Sequence, residues 1–197
     1  MAIIDVSQDI LSGIDKEQAR TFYDTVTITS GSNQITAGTQ SEIFTAASSK
    51  TLRNSNLSTN GMLPIQFSAV IYRFRLSSPS ALAPSDVKSI AQNGVYQFYR
   101  NQNELVFEVP LADLGSGQSV VGQGGGSGPT STDFAYNFSP DNLAQIPALP
   151  EFGQISIASG MSFRGLITWS DAVTLETGTD SFELRVLFDC KLMKPVS

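Results

Sequence analysis

Apolar and polar positions alternate along most of this chain, and only two stretches show a helical period. The clearest strand signal runs from Gln66 to Leu76, entered from the turn-marked Asn60-Gly61-Met62-Leu63-Pro64. Val70, Tyr72, Phe74 and Leu76 fall on one side of such a strand. The opposite side is mixed, with Arg73 and Arg75 beside Ala69 and Ile71. A period of two in β-branched and aromatic residues fits a pleated, half-buried surface.

The same reading extends along the sequence. Thr25-Val26-Thr27-Ile28-Thr29 alternates cleanly and stops at Ser30-Gly31-Ser32-Asn33, and Gln40 to Ala46 gives a second strand. Val95–Arg100 and Glu104–Val109 form a hairpin across Asn101-Gln102-Asn103. Gln154–Ala158, Ser162–Thr168 and Ser181–Met193 supply the last strands, the final one continuing apolar as if crossing the middle of a sheet. Ser85 to Asn93 is a short helix, preceded by Pro84 and followed by Gly94, with Ser85 placed as its N-cap.

Residues 3–22 carry Ile3, Ile4, Val6, Ile10, Leu11, Ile14 and Phe22 among acids and Gln. That spacing predicts an amphipathic helix, either an arm that folds on a partner or a helix packed on its own domain. The Gly-rich residues 115–132 read as a loop inside one domain, and 139–153 as an irregular, Pro-punctuated connection. The prediction is therefore all-β: a sandwich of about eight strands with a short helix, residues 23–197, behind an N-terminal helical arm, residues 1–22.

Composition removes several functional classes. Charged residues make up 15% of the 197 positions, against roughly 25% in typical soluble domains, and Ser, Thr, Asn, Gln and Gly fill the polar quota. A surface poor in Lys and Glu orders fewer long side chains on contact, which suits a protein that packs against many neighbours; turn-rich β proteins share that composition. The net charge of −6, with scattered basic residues, argues against direct nucleic-acid binding. Histidine does not occur, which removes the commonest general base and metal ligand. Cys190 stands alone, so there is no intrachain disulfide, and a small buried residue is expected there. Asp5 and Asp9 interrupt the one basic-plus-apolar leader candidate, and no apolar run would span a bilayer, so synthesis in the cytoplasm is expected.

Catalytic patterns fail one by one. The glycines from Gly122 to Gly128 lack the Gly-Lys-Ser/Thr ending of a phosphate loop. Ser85-Asp86-Val87-Lys88 matches a Ser-x-x-Lys pattern without its companion motifs. Glu104 and Glu108 would flank one face of a strand, with no identifiable partner for glycoside chemistry. No calcium loop occurs. Trp169 at a strand end reads as a core or interface anchor, with sugar stacking as the alternative. The chain is thus expected to be no enzyme and to need no cofactor or metal.

Four stretches carry a family resemblance: Asn56 to Pro64 with the strand after it, Glu108 to Gly115 with the Gly-rich loop, Ile155 to Leu166, and Glu183 to Val196. In order and spacing they resemble the small single jelly-roll major capsid proteins of tailless icosahedral bacteriophages. Gly115-Ser116-Gly117 departs from the Pro-Ala-Gly-like turn of that pattern. The resemblance implies a coat subunit, made in the host cytoplasm, that assembles with copies of itself into the shell of the virion. Other capsid or vertex proteins and an underlying membrane are the further partners it implies. Ile10, Leu11, Ile14, Arg73, Arg75 and Trp169 become the expected subunit-interface residues, with salt bridges inside one subunit as the competing reading of Arg73 and Arg75. Deletion of residues 1–20 is expected to impair assembly without unfolding the sandwich. The competing reading is a receptor- or carbohydrate-binding β-sandwich of a viral spike or fibre.

Overall fold

The structure is a computed structural model that describes residues 16–31, 33–45, 50–57, 61–63, 66–78, 82, 84–101, 103–114, 154–176 and 181–194. The described residues are mostly strand, arranged in antiparallel sheets with a single α-helix. Two strands of 14 residues, β1 (Lys16–Thr29) and β10 (Ser181–Lys194), pair along their full length. The other face of the ladder on β10 is taken by β4 (Ser68–Ser77), which in turn pairs with β7 (Ile155–Ile157). A second sheet runs in the order β3 (Thr39–Ile43), β8 (Phe163–Trp169), β5 (Gly94–Arg100), β6 (Glu104–Pro110). Two short strands, β2 (Gln34–Ile35) and β9 (Val173–Thr174), form a ladder of their own. The pairs therefore nest: first with last, second with ninth, third with eighth, fourth with seventh, fifth with sixth.

Alternation dictates which face each strand buries. On β10, Phe182, Leu184, Val186, Phe188, Cys190 and Leu192 are all buried, while the residues between them lie on the outer face. Phe74 and Phe188 of the first sheet meet Phe98 and Phe163 of the second, with ring centroids 5.1 Å apart for Phe74–Phe98 and 5.6 Å for Phe163–Phe188. Tilted and edge-on pairs of this kind contribute about 0.5–1.5 kcal/mol each beyond the area they bury. The helix α1 (Pro84–Asn93) closes one side by burying Val87, Ile90 and Ala91, an i, i+3, i+4 stripe.

Two strands break the simple alternation. On β4 the inward residues are Ala69 and Ile71, then Phe74 and Leu76. The register shifts here, because Ile71 opposes Cys190 while Arg73 opposes Asp189, leaving Tyr72 as an inserted residue. The expectation that Val70, Tyr72, Phe74 and Leu76 share one face is thereby corrected: a β-bulge reverses the phase between the two halves. On β6, Phe107 opposes Phe98 and Leu105 opposes Tyr99, so Val106 is the extra residue. Glu108 thus pairs with Gln97 on the outer face, and Glu104 pairs with Arg100 on the other, instead of both flanking one face.

The start of the chain is also reassigned. Residues 16–22 belong to β1, and Phe22 is a core residue. The predicted arm boundary at residue 22 therefore falls inside a strand. The expected helix over the earlier residues, with Ile10, Leu11 and Ile14, lies outside the described residues. So do the two predicted connections from 115 to 153 and the side chain of Ser85.

The edge of β1 is covered by residues 50–57. Asn56 imitates a neighbouring strand: Tyr23 N–H donates to its Oδ1 at 2.8 Å and its Nδ2 donates to Thr21 O at 2.9 Å. Tyr23 O–H donates to Leu52 O, and Arg185 Nη2 donates to Arg53 O at 2.7 Å. A capped edge withholds its free backbone groups from unintended strand pairing.

Candidate assembly surfaces

Both sheets turn a built outer face away from the core. On the first sheet, cross-strand neighbours form a grid in which Thr21, Asp189 and Arg73 make one row and Tyr23, Leu187 and Arg75 the next. Asp189 is nearly buried and accepts from Arg75 Nη2 at 2.8 Å and from Thr21 Oγ1 at 2.6 Å. Arg185 leans the other way, donating to Thr25 Oγ1 at 3.0 Å and lying 5.3 Å from the Tyr23 ring centroid. Arg73 is half-buried and has no hydrogen bond or ion pair among the described residues, and its Nε and that of Arg75 are buried donors without acceptors. Among the described side chains, four cations (Arg73, Arg75, Arg185, Lys191) face two carboxylates (Glu183, Asp189) on this surface. A chain of net charge −6 thus presents one locally positive face.

On the second sheet a single polar chain crosses all four strands. Glu42 on β3 binds Arg164 on β8 at 2.9 Å, and the Arg164 guanidinium lies 4.6 Å from the centroid of the Tyr99 ring on β5. Tyr99 O–H donates to Gln97 Oε1 at 3.1 Å, and Gln97 Nε2 donates to Glu108 Oε2 on the edge strand β6. Each donor fixes the next acceptor, so the Gln97 amide has one orientation. Glu108 ends the chain exposed and without a cation.

The predicted site residues separate on this geometry. Arg73 and Arg75 share the outer face of the first sheet, with Arg75 ion-paired to Asp189 of its own chain and Arg73 without an ion pair among the described residues. Trp169 is the last residue of β8 with 0% of its surface exposed, and its Nε1–H donates to Ile90 O at 3.2 Å. It serves the core of its own chain, satisfying a carbonyl of α1. Cys190 is likewise buried, and desolvation, reinforced by the charge of Asp189, pushes its thiol up to about 12. A thiol held protonated is a poor nucleophile. Arg185, Lys191 and Asp189 were not singled out in the sequence, and Glu108 only as a possible glycosidase carboxylate, because sheet pairing brings them to these faces from distant parts of the chain.

The remaining chemistry is sparse. Among the described residues no group of three or more His, Cys, Asp or Glu side chains could hold a metal ion. Glu104, once weighed for glycoside chemistry, forms an ion pair with Arg100, whose hydrogen bond holds the carboxyl below its ordinary range. Lys88, four residues into α1, is exposed. No described helix is long and apolar enough to cross a membrane. An open cleft of about 410 Å³ lies at one end of the sandwich, lined by Phe44, Gly61, Asn103, Ser162 and Arg164 among others. Its wall is tightly made. Phe163 N–H donates to Gly61 O at 2.7 Å, and a Cβ on Gly61, at φ 53°, would fall on Phe163 O. No protein-family profile matches the chain, and no curated protein matches its sequence.

Proposed function

We propose that this protein is a coat subunit, a single jelly roll that assembles with copies of itself into the icosahedral shell of a tailless bacteriophage. The observation that carries this reading is the nested pairing of ten strands, β1 with β10 inward to β5 with β6. A long antiparallel hairpin wrapped around a barrel gives that pairing and splits it into two four-stranded sheets, the architecture of jelly rolls. The resemblance to capsid proteins adds to it, because the stretches that carry it pack on one another. β4 pairs with β10, and Met62 bridges to Ser162. The function itself rests on that resemblance and on the surfaces, since a fold alone does not assign one.

The surfaces support a building block. Most charged side chains of the outer faces are tied down within their own chain, and the β1 edge is capped. Copies of this chain are the principal partner, in the virion. Further capsid or vertex proteins and an underlying membrane remain part of the proposal. Nucleic acid is not, given the net charge.

Electron microscopy of the purified full chain tests the reading. Shells or regular capsomers are expected, with the first 15 residues required for their yield and not for the fold. The cut belongs at residue 15, because residues 16–20 pair with Cys190–Lys194 in β1. Monodisperse trimers that bind glycans would favour the spike or fibre reading and overturn this one.

A further inference from the structure

The half-buried Arg73 is an anomaly in a chain that otherwise pairs its buried charge. Lys50 binds the buried Asp24, and Arg75 binds Asp189. The Arg73 Nε is sealed without an acceptor, a loss of about 1–3 kcal/mol. Its more accessible Nη groups also meet no acceptor among the described residues, which marks a place where a carboxylate is missing. The bulge at Tyr72 holds this arginine on the outer face, beside Arg75 and opposite Asp189. Two guanidiniums and one carboxylate leave this cluster with one positive charge, which matches a single carboxylate.

The described carboxylates narrow the donor of that group. Glu42 and Glu104 are bound to arginines of their own chain; Asp24, Asp86 and Asp189 are buried and hydrogen-bonded. Glu176 and Glu183 have partners of their own. Glu108, Asp113 and Asp171 are the described exposed carboxylates with no cation, and the latter two sit in turns. Glu108 alone lies on a sheet face, held rigid by Gln97.

Resting on the coat-subunit reading, we propose that Arg73 of one copy receives the Glu108 carboxylate of the next, so that the outer face of the β1-β10-β4-β7 sheet packs on the outer face of the β3-β8-β5-β6 sheet. The two patches differ, so the contact is heterologous and does not close a two-fold dimer; it forms a capsomer ring where the rotation between copies closes and an open stack where it does not. Both partners are fixed before contact, Arg73 by its strand and Glu108 by Gln97, so little side-chain entropy is lost.

The test is assembly of the full chain, followed by light scattering against protein concentration, for wild type, Arg73→Gln, Glu108→Gln, Arg73→Glu, Glu108→Arg and the double charge swap. Each neutral variant is expected to raise the half-assembly concentration about tenfold, the scale of one weakened interface charge pair. Each single swap is expected to raise it further, and the double swap to return it near wild type. Thermal melting separates assembly from folding; Arg73→Glu sets two acids side by side at Asp189, so Arg73→Gln decides if that variant does not fold. Neutral variants that assemble at wild-type concentrations overturn the contact and leave the coat reading standing. A folded double swap that stays as impaired as the singles also overturns it. A wild type that remains monomeric throughout overturns both.

Discussion

Lys50→Met should destabilise the protein more than Asp24→Asn, although Asp24 is the deeper residue. Asp24 lies on the inner side of β1 with a fully buried side chain, and Lys50 keeps 18% of its side-chain surface in water. Asp24 Oδ2 accepts from Lys50 Nζ at 2.6 Å and from the Phe44 N–H at 2.6 Å, while Oδ1 has no partner among the described residues. Removing the lysine strands the carboxylate where neither water nor another cation reaches it. That outcome costs about 3–5 kcal/mol. Removing the carboxylate strands a flexible ammonium that can swing into solvent, and the Asn carbonyl still accepts from Phe44. The loss is then a charge-assisted hydrogen bond, about 1.5–3 kcal/mol. The double variant should cost about 1–3 kcal/mol less than the sum of the singles. Urea unfolding followed by the fluorescence of Trp169, the sole tryptophan, measures all three, provided the slope is unchanged. The reasoning fails if Asp24→Asn proves at least as costly as Lys50→Met. It also fails if both fall below about 1 kcal/mol, which would mean that water reaches the pair.

Two further outcomes follow from buried groups. The Tyr96 hydroxyl is fully buried beside Gly165 without a partner among the described residues, and burial raises its pKa well above the ordinary value, so Tyr96→Phe should stabilise by about 1 kcal/mol. A loss of more than about 0.5 kcal/mol in the same urea assay would show that the hydroxyl is in fact satisfied. Cys190 sets an alkaline limit. The thiol of the unfolded chain ionises near its usual 9.0, whereas the folded one holds its proton to about 12, so the native state binds more protons in that window. Stability is therefore unaffected by this group below the lower value and falls as pH rises through the window, by at most about 1.4 kcal/mol per pH unit. Cys190→Ala should flatten that slope between pH 9 and 10, below the range where Tyr96 adds to it; an unchanged slope refutes the assignment.

What the sequence made legible follows from how regular each strand is. β10 keeps an apolar residue at every second position from Phe182 to Leu192, with Leu187 the one large apolar residue between them, so its inner face could be read directly. The helix Pro84–Asn93 was visible through its Pro and Gly boundaries, and the hairpin of β5 and β6 through its Asn-rich turn. β1 was missed over residues 16–24, because Lys16-Glu17-Gln18-Ala19-Arg20 has no apolar alternation and Phe22 fits the helical spacing of the residues before it; partnership with residues 186–194 of β10 makes them a strand. Asn56 gave no signal that it would stand in for a neighbouring strand, since that role needs the β1 edge beside it. The charged faces were hidden for the same reason. Asp189 and Arg75 are 114 positions apart, and only the ladder between β4 and β10 brings them together.

The bulge at Tyr72 joins the fold to the proposed contact. A strand of strict period two through Ala69-Val70-Ile71-Tyr72-Arg73-Phe74-Arg75-Leu76 has two registers, and each gives something up. If Ala69 and Ile71 face the core throughout, Arg73 and Arg75 enter it as well, and two guanidiniums are buried among Phe98, Phe107 and Phe188. If Phe74 and Leu76 face inward throughout, Ala69 and Ile71 are lost to solvent, and Val70 and Tyr72 must fill their places. One inserted residue lets both halves bury their better apolar pair, and the same step lifts Arg73 and Arg75 to the outer surface. The cost is a locally disrupted ladder beside Cys190 and a crowded seat in which the Nε–H groups of both arginines lose water without gaining an acceptor. Core packing in β4 and the unmet donor of Arg73 thus have one origin. A neighbouring copy that brings a carboxylate to the accessible Nη groups of Arg73 would supply on assembly the counter-charge that folding alone leaves absent.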